Sequence, residues 1–422
     1  MKRSWRTLGI TLTLVAFVLG FAGTFVTLNV TQPAAQDTAS SVQFAVRPGD
    51  GASSIASRLA SAGLINNAAI FTLMAGLQHL DAHLRPGIYQ LSPDMTMGAI
   101  IQRLVGGHPD QVLIIVPPGK SLVQIPPGTR VAQFPAYLAT LPNVKSKAAL
   151  SILTTGVLPT GKRLSDLYWY VRPRQAGTVA ALEGYILPGT YFIDTQADES
   201  AAIQQLLNGL GEHLCPGPDA AHLDAYLLDH TQCKAHAATV GPKGVNIFTE
   251  MDQRYHTSDD ATGLYKTLTL ASLVVRISTA DGDAAGVAGV YYNRYLAANG
   301  SGYAPNGEYV PYMDAPATVQ YAQDTDSPPA ADNWWAPLTT PPGAIELNSA
   351  YNTAVPDNRG LMPGPIAAPT WADVAAAASA GEPAASPYFY VVADRCGQAH
   401  YAATQAEFLV TARQSNMGCF NN

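Results

Sequence analysis

From Leu8 to Val30 the chain runs without a charged residue, behind a basic start that carries Lys2, Arg3 and Arg6. An uncharged stretch of that length crosses a bilayer as one helix. The basic flank stays on the cytoplasmic side, so everything beyond is expected to fold outside the cell membrane as a single-pass protein. The competing reading is a cleaved signal peptide; against it stand an apolar core longer than the usual one and the lack of an A-x-A site at its end. A formal charge of -7, with no basic cluster after residue 6, excludes nucleic acid as a partner, because neutralising phosphates needs concentrated Lys and Arg. With only 13% charged residues but 36 Gly, 31 Pro and 20 Tyr, the composition suits a loop-rich extracytoplasmic protein, and 422 residues exceed one core.

Cys215, Cys233, Cys396 and Cys419 lie beyond the apolar run. An even number of cysteines in an oxidising space favours disulfides, and proximity pairs Cys215 with Cys233 and Cys396 with Cys419. His213, His222, His230 and His236 surround the first pair, but their spacing fits no zinc pattern, so no metal is expected. Nor is a cofactor: the chain has no P-loop, Rossmann fingerprint, G-x-S-x-G elbow or H-E-x-x-H.

In chain order, a cytoplasmic tail (1–6) and the membrane helix (7–30) lead into a small, polar linker (31–41). Residues 42–111 then read as strand, Arg47–Asp50 turn, helices over Ile55–Ile65, Ala68–Leu77 and Met97–Leu104, and a strand over Gly87–Leu91, with another at Val112–Val116. This block resembles a LysM-like βα module, a fold that commonly grips N-acetylglucosamine chains; a plain spacer is the equal alternative. Residues 112–180 form a connecting subdomain with a short helix at Phe134–Leu141. The last domain covers 181–413, with a helix at Ala201–Leu214 and a loop-rich insertion over about 215–263, before a tail (414–422). The fold class is therefore α+β.

Within the last domain, Leu264–Asp283 (LYKTLTLASLVVRISTADGD) is a helix-like run in which Leu270, Val274 and Ile277 recur on one face, expected to point into the domain body. Around it stand Glu183-Gly184-Tyr185 with Pro188-Gly189-Thr190-Tyr191, Val290-Tyr291-Tyr292-Asn293-Arg294, and Pro316-Ala317-Thr318-Val319-Gln320-Tyr321. Ser349-Ala350-Tyr351-Asn352-Thr353 and Gly360-Leu361-Met362-Pro363-Gly364-Pro365-Ile366 follow, then Tyr388–Asp394 and His400-Tyr401 as a closing hairpin. In this order, over residues 42 to 413, the blocks resemble the endolytic murein transglycosylases, or YceG-like proteins.

The resemblance implies a lyase that cuts peptidoglycan glycan strands without water, leaving 1,6-anhydro-muramic ends. One carboxyl group must protonate the glycosidic oxygen and then take the proton of the C6 hydroxyl, which requires an acid whose pKa is raised by an apolar pocket. Carried over from Ala271-Ser272, the family's catalytic glutamate falls on Ile277 and its second acid on Val275. The family's other acids also go, to Gly189, Pro316 and Pro118, while Tyr191, Asn293, Arg294, Tyr351 and Asn352 persist. Losing a general acid removes roughly two to four powers of ten in rate.

The resemblance thus implies a degenerate member that binds nascent strands, with Tyr191, Asn293, Arg294, Thr318, Gln320, Tyr351 and Asn352 lining the substrate groove. Trp334 and Trp335, in a Pro-rich loop expected to be exposed, are the candidates for stacking on sugar rings. One alternative is an active lyase using a displaced carboxylate: Glu183, Asp281, Asp283 or Asp314. The other is a structural cell-wall adaptor. Expected partners are glycan strands, the membrane and peptidoglycan synthesis enzymes.

Overall fold

The computed structural model describes residues 33–35, 41–47, 50–77, 87–106, 110–124, 132–216, 229–278, 283–329, 333–340, 342–379, 387–394, 396 and 398–417. The expected membrane helix, Asp281 and Cys419 lie outside these residues. Among the described residues no helix is long and apolar enough to cross a membrane. The chain divides into two compact units, residues 1–114 with 192–196, and residues 115–191 with 197–422.

In the first unit, β1 (Val42–Val46) and β2 (Gly87–Leu91) pair antiparallel, Val42 opposite Leu91 and Val46 opposite Gly87. Between them in sequence come α1 (Ala52–Ser61) and α2 (Ala68–Leu77), and after them α3 (Met97–Gly106). The sheet continues through β3 (Gln111–Val116) and β4 (Gly189–Asp194) in the order β1-β2-β3-β4. Ile55 and Leu59, one turn apart on α1, are sealed in a core with Phe71, Tyr89, Ile100 and Leu104. Asp110 fastens the turn before β3: its carboxylate accepts from Gln90 N and pairs with Arg103 at 2.6 Å, and its carbonyl accepts from Thr195 N.

The second unit opens with α4 (Gln133–Leu138), α5 (Ser146–Thr155), the single turn α6 (Leu164–Leu167) and α7 (Glu199–Leu214). Asp198 caps α7 by accepting from Ala201 N at 2.9 Å. Cys215 and Cys233 form a disulfide, and Cys396 is also bonded. The expected loop-rich insertion over 215–263 needs correction. Among its described residues are α8 (His230–Ala235), a two-stranded ribbon of β5 (Thr239–Val240) and β6 (Val245–Asn246), and α9 (Ile247–Tyr255). α9 belongs to the core: Ile247, Phe248 and Met251 are buried, and so is Arg254, whose guanidinium lies 3.9 Å from the Tyr292 ring and donates to Ser379 O.

At the centre stands α10 (Asp260–Ile277), against which α9, α11 (Ala284–Asn299), α12 (Pro316–Asp326) and α13 (Trp371–Ala378) pack. The helix starts earlier than its apolar stripe suggested, and at Asp260 it carries a buried acid that binds His230 at 2.7 Å and Lys234 at 2.9 Å. Burial covers nearly every side from Gly263 to Val274, not one stripe. The helix tolerates this because its hydroxyls bond its own backbone: Thr267 to Gly263 O, Thr269 to Tyr265 O and Ser272 to Thr269 O. Leu270 and Val274 are fully buried, whereas Ile277, the last helical residue, is only half-buried. The unit closes with the antiparallel hairpin β7 (Tyr390–Ala393) and β8 (Ala399–Ala402), and α14 (Gln405–Met417).

Candidate functional site

Segments far apart in sequence meet along α10. The Ser272 hydroxyl accepts from Ile366 N at 3.0 Å, and the Tyr265 hydroxyl donates to Pro363 O at 2.8 Å, so the Gly360–Ile366 block lies along the helix. Gly119 N donates to Ala368 O and Ala368 N to Lys120 O, both at 2.9 Å, which sets the Pro117-Pro118-Gly119 turn beside the same block. Gly184 has φ +79°, and a Cβ on it would meet Pro365 at 2.4 Å; no side chain fits there. Gly184→Ala is therefore expected to lower stability by about 2 kcal/mol or more, read as a drop in the urea midpoint.

Glu183 is only 1% exposed. The Ser121 hydroxyl donates to its Oε2 at 2.7 Å, and Leu122 N donates to both carboxyl oxygens at 3.1 and 3.2 Å. Burial outweighs these bonds and raises its pKa to about 7. That value would suit a general acid, but the carboxyl faces the protein interior, where it ties the turn after Gly119 to the Glu183–Tyr185 run.

The last turn of α10 holds Val275, Arg276 and Ile277, and no acid. Arg276 reaches past its neighbours: Nη1 donates to Gly119 O at 3.1 Å, and the guanidinium lies 4.1 Å from the Trp335 ring. Its Nε is buried without a partner among the described residues. Burial lowers the Arg276 pKa, while the charge of Asp324 works against that shift. Asp324, on α12, accepts from Trp335 N at 2.7 Å. Burial raises its pKa, opposed by that bond and by Arg276. Gln320, one turn earlier, donates to Ala336 O at 2.8 Å and to Trp335 O at 3.3 Å. Gln320 and Asp324 thus clamp the loop at Trp335, which sits in the left-handed region at φ +68°.

Trp334 and Trp335 depart from expectation: at 8% and 9% exposure they are core residues. Trp335 stacks on Tyr321 at 5.9 Å, and Tyr321 meets Tyr351 edge-on at 4.8 Å, so the indole closes an aromatic column under Arg276. The framework residues also make bonds within the protein. Asn293 donates to Tyr388 O; Arg294 donates to Met313 O at 2.7 Å and to Phe389 O at 3.1 Å. Thr318 shares a hydrogen bond with Thr353 at 2.7 Å, Asn352 donates to Leu347 O, and the Tyr191 hydroxyl donates to Leu187 O. Gln320 and Trp335 share the end of α10; Asn293 and Arg294 hold the segments at Tyr312–Met313 and Tyr388–Phe389.

Of the displaced carboxylates, Asp283 accepts from Ala399 N at 3.2 Å, and Asp314 is exposed, 3.7 Å from Arg294. Neither is bonded to the last turn of α10. Asp324 and Ser121 were missed by sequence reasoning. The Gln320/Asp324 pair at one-turn spacing was legible on α12, but nothing in the sequence points it at Trp335.

Residues 44–414 match the YceG-like family. Among solved structures, the 2.6 Å crystal structure of a yceG-like protein from Listeria monocytogenes is 21% identical, with a TM-score of 0.48, over 88% of this chain and 98% of that chain. No curated protein matches.

Proposed function

The chain belongs to the YceG-like family, a cell-envelope family of endolytic peptidoglycan transglycosylases, and from that membership we propose that it holds glycan strands with little or no cutting. The observation that carries this reading is the last turn of α10, where Val275 and Ile277 take the positions matched to the family's acids and Arg276 stands between them. A guanidinium keeps its proton at every physiological pH, so it cannot serve as the general acid and then the base that the lyase cycle needs. A cation flanked by an aromatic ring suits sugar and acetamido oxygens instead. The uncharged run near the N-terminus would anchor the protein as a single span facing outward, next to strands as they are made and to the enzymes that make them.

A second reading rests on Asp324. It is a carboxyl raised by burial beside Arg276, the state a proton donor at the helix end would need. The test is to incubate the full chain in detergent with insoluble peptidoglycan and with purified strands, following sedimentation and the ends of the strands. Sedimentation without new anhydro-muramyl ends is expected. Ends that form with the wild type and vanish with Asp324→Asn would establish the second reading, and failure to sediment would leave a structural adaptor.

A further inference from the structure

In an acidic protein, a pocket of about 220 Å³ in the second unit is lined by three arginines, Arg163, Arg172 and Arg174. Thr155 and Ser165 bring hydroxyls to it, while Val157, Val171 and Pro173 give it apolar wall. The backbone sets the arginines in place. α5 ends at Gly156 in the left-handed region, Leu158 N bonds Lys162 O and Leu164 N bonds Gly156 O, so the chain doubles back and Arg163 stands opposite Val157. Arg172 N donates to the Tyr185 hydroxyl, and its guanidinium lies 5.5 Å from the Tyr265 ring. Arg174 donates one Nη2 bond to Thr178 O at 2.8 Å.

Among the described residues none of the three is ion-paired with an acid. Asp166, the acid nearest in sequence, does not line the pocket. Guanidiniums gathered without a paired acid create a positive potential that attracts anions. Guanidinium forks match the two oxygens of a carboxylate or phosphate.

We propose that this pocket takes a carboxylate of the peptide stems that hang from peptidoglycan strands. Size and wall chemistry favour that source: the space exceeds a bare phosphate, and the apolar wall accepts the aliphatic part of an amino acid. The assignment rests on the glycan-holding reading, and it adds a second point of attachment, through the stem, to one through the sugars.

The experiment compares the full-length wild type with Arg163→Ala and Arg163→Lys, since Arg163 is exposed and its side chain makes no hydrogen bond, ion pair or ring contact among the described residues. Each is sedimented with strands bearing their stems and with strands stripped of stems by an amidase. The wild type should bind stem-bearing strands about tenfold more tightly, as expected for one charge-assisted contact. Arg163→Ala should lose that margin, Arg163→Lys should recover part of it, and binding to stripped strands should stay unchanged. Equal binding of both strands by the wild type overturns the proposal while leaving the glycan reading intact. If neither strand sediments, the glycan reading fails, and titration with a soluble muramyl tripeptide decides the pocket separately. Heat of binding that Arg163→Ala abolishes supports the assignment, whereas binding of inorganic pyrophosphate but not of the tripeptide overturns it.

Discussion

Glu183→Ala is expected to cost about 3–5 kcal/mol of folding free energy, a large fraction of the stability of an ordinary domain. The substitution strips the acceptor from the Ser121 hydroxyl and from Leu122 N, both buried, and leaves a void between the turn and the Glu183–Tyr185 run. Glu183→Gln keeps the shape and one acceptor oxygen, so it should cost about 1 kcal/mol at acid pH. Its effect on pH dependence is larger. Burial raises the Glu183 pKa from 4.5 to about 7, so between those values the folded protein keeps a proton that the unfolded chain has released. Stability from this group is fully present below 4.5 and declines as pH rises through about 7, by roughly 3 kcal/mol in all. Urea melts at about pH 5 and about pH 8 should show that decline in the wild type and its absence in Glu183→Gln. An equal decline in both would mean that another group is responsible.

Ile277→Glu is expected to raise the rate of strand cleavage by roughly two to four powers of ten over the wild-type background. Ile277 is half-buried, so a glutamate there would be only partly solvated. It also ends α10, where the unsatisfied carbonyls of the last turn disfavour negative charge and so raise the pKa of a carboxyl group. Arg276 pulls the other way, but its guanidinium is turned onto Gly119 O and Trp335. Ile277→Gln, with the same shape and no titratable proton, separates acid catalysis from repacking. Cleavage should follow the carboxyl group alone, measured as anhydro-muramyl ends formed per unit time. No gain from the glutamate would show that the surroundings of Ile277 have changed as well as the acid.

Much of the arrangement was legible because it rests on residues with few alternatives. Gly184 and Gly364 admit no side chain against Pro365 and Tyr265, and both stand in the ordered blocks that carry the family resemblance. The Ala68–Leu77 helix was readable because, Thr72 and Gly76 apart, its residues are all apolar. The insertion was misread because α9 buries Arg254, Glu250 and Tyr255, residues whose presence in a core depends on distant partners such as Ser379 and Tyr292. The Trp334-Trp335 loop misled for a similar reason. Its Pro-rich composition signals exposure, but Gln320, Asp324 and Arg276 draw it onto the domain, and no local pattern records those contacts.

Whether the scaffold persists while the chemistry has gone can be read from the products of the unmodified protein. The full chain is incubated with purified glycan strands, and mass spectrometry looks for strands with dehydrated muramic termini. Strands of unchanged length are expected, with none of these termini above the protein-free control. Time-dependent shortening with such termini, from a preparation free of other lyases, would mean that the protein is an active lyase.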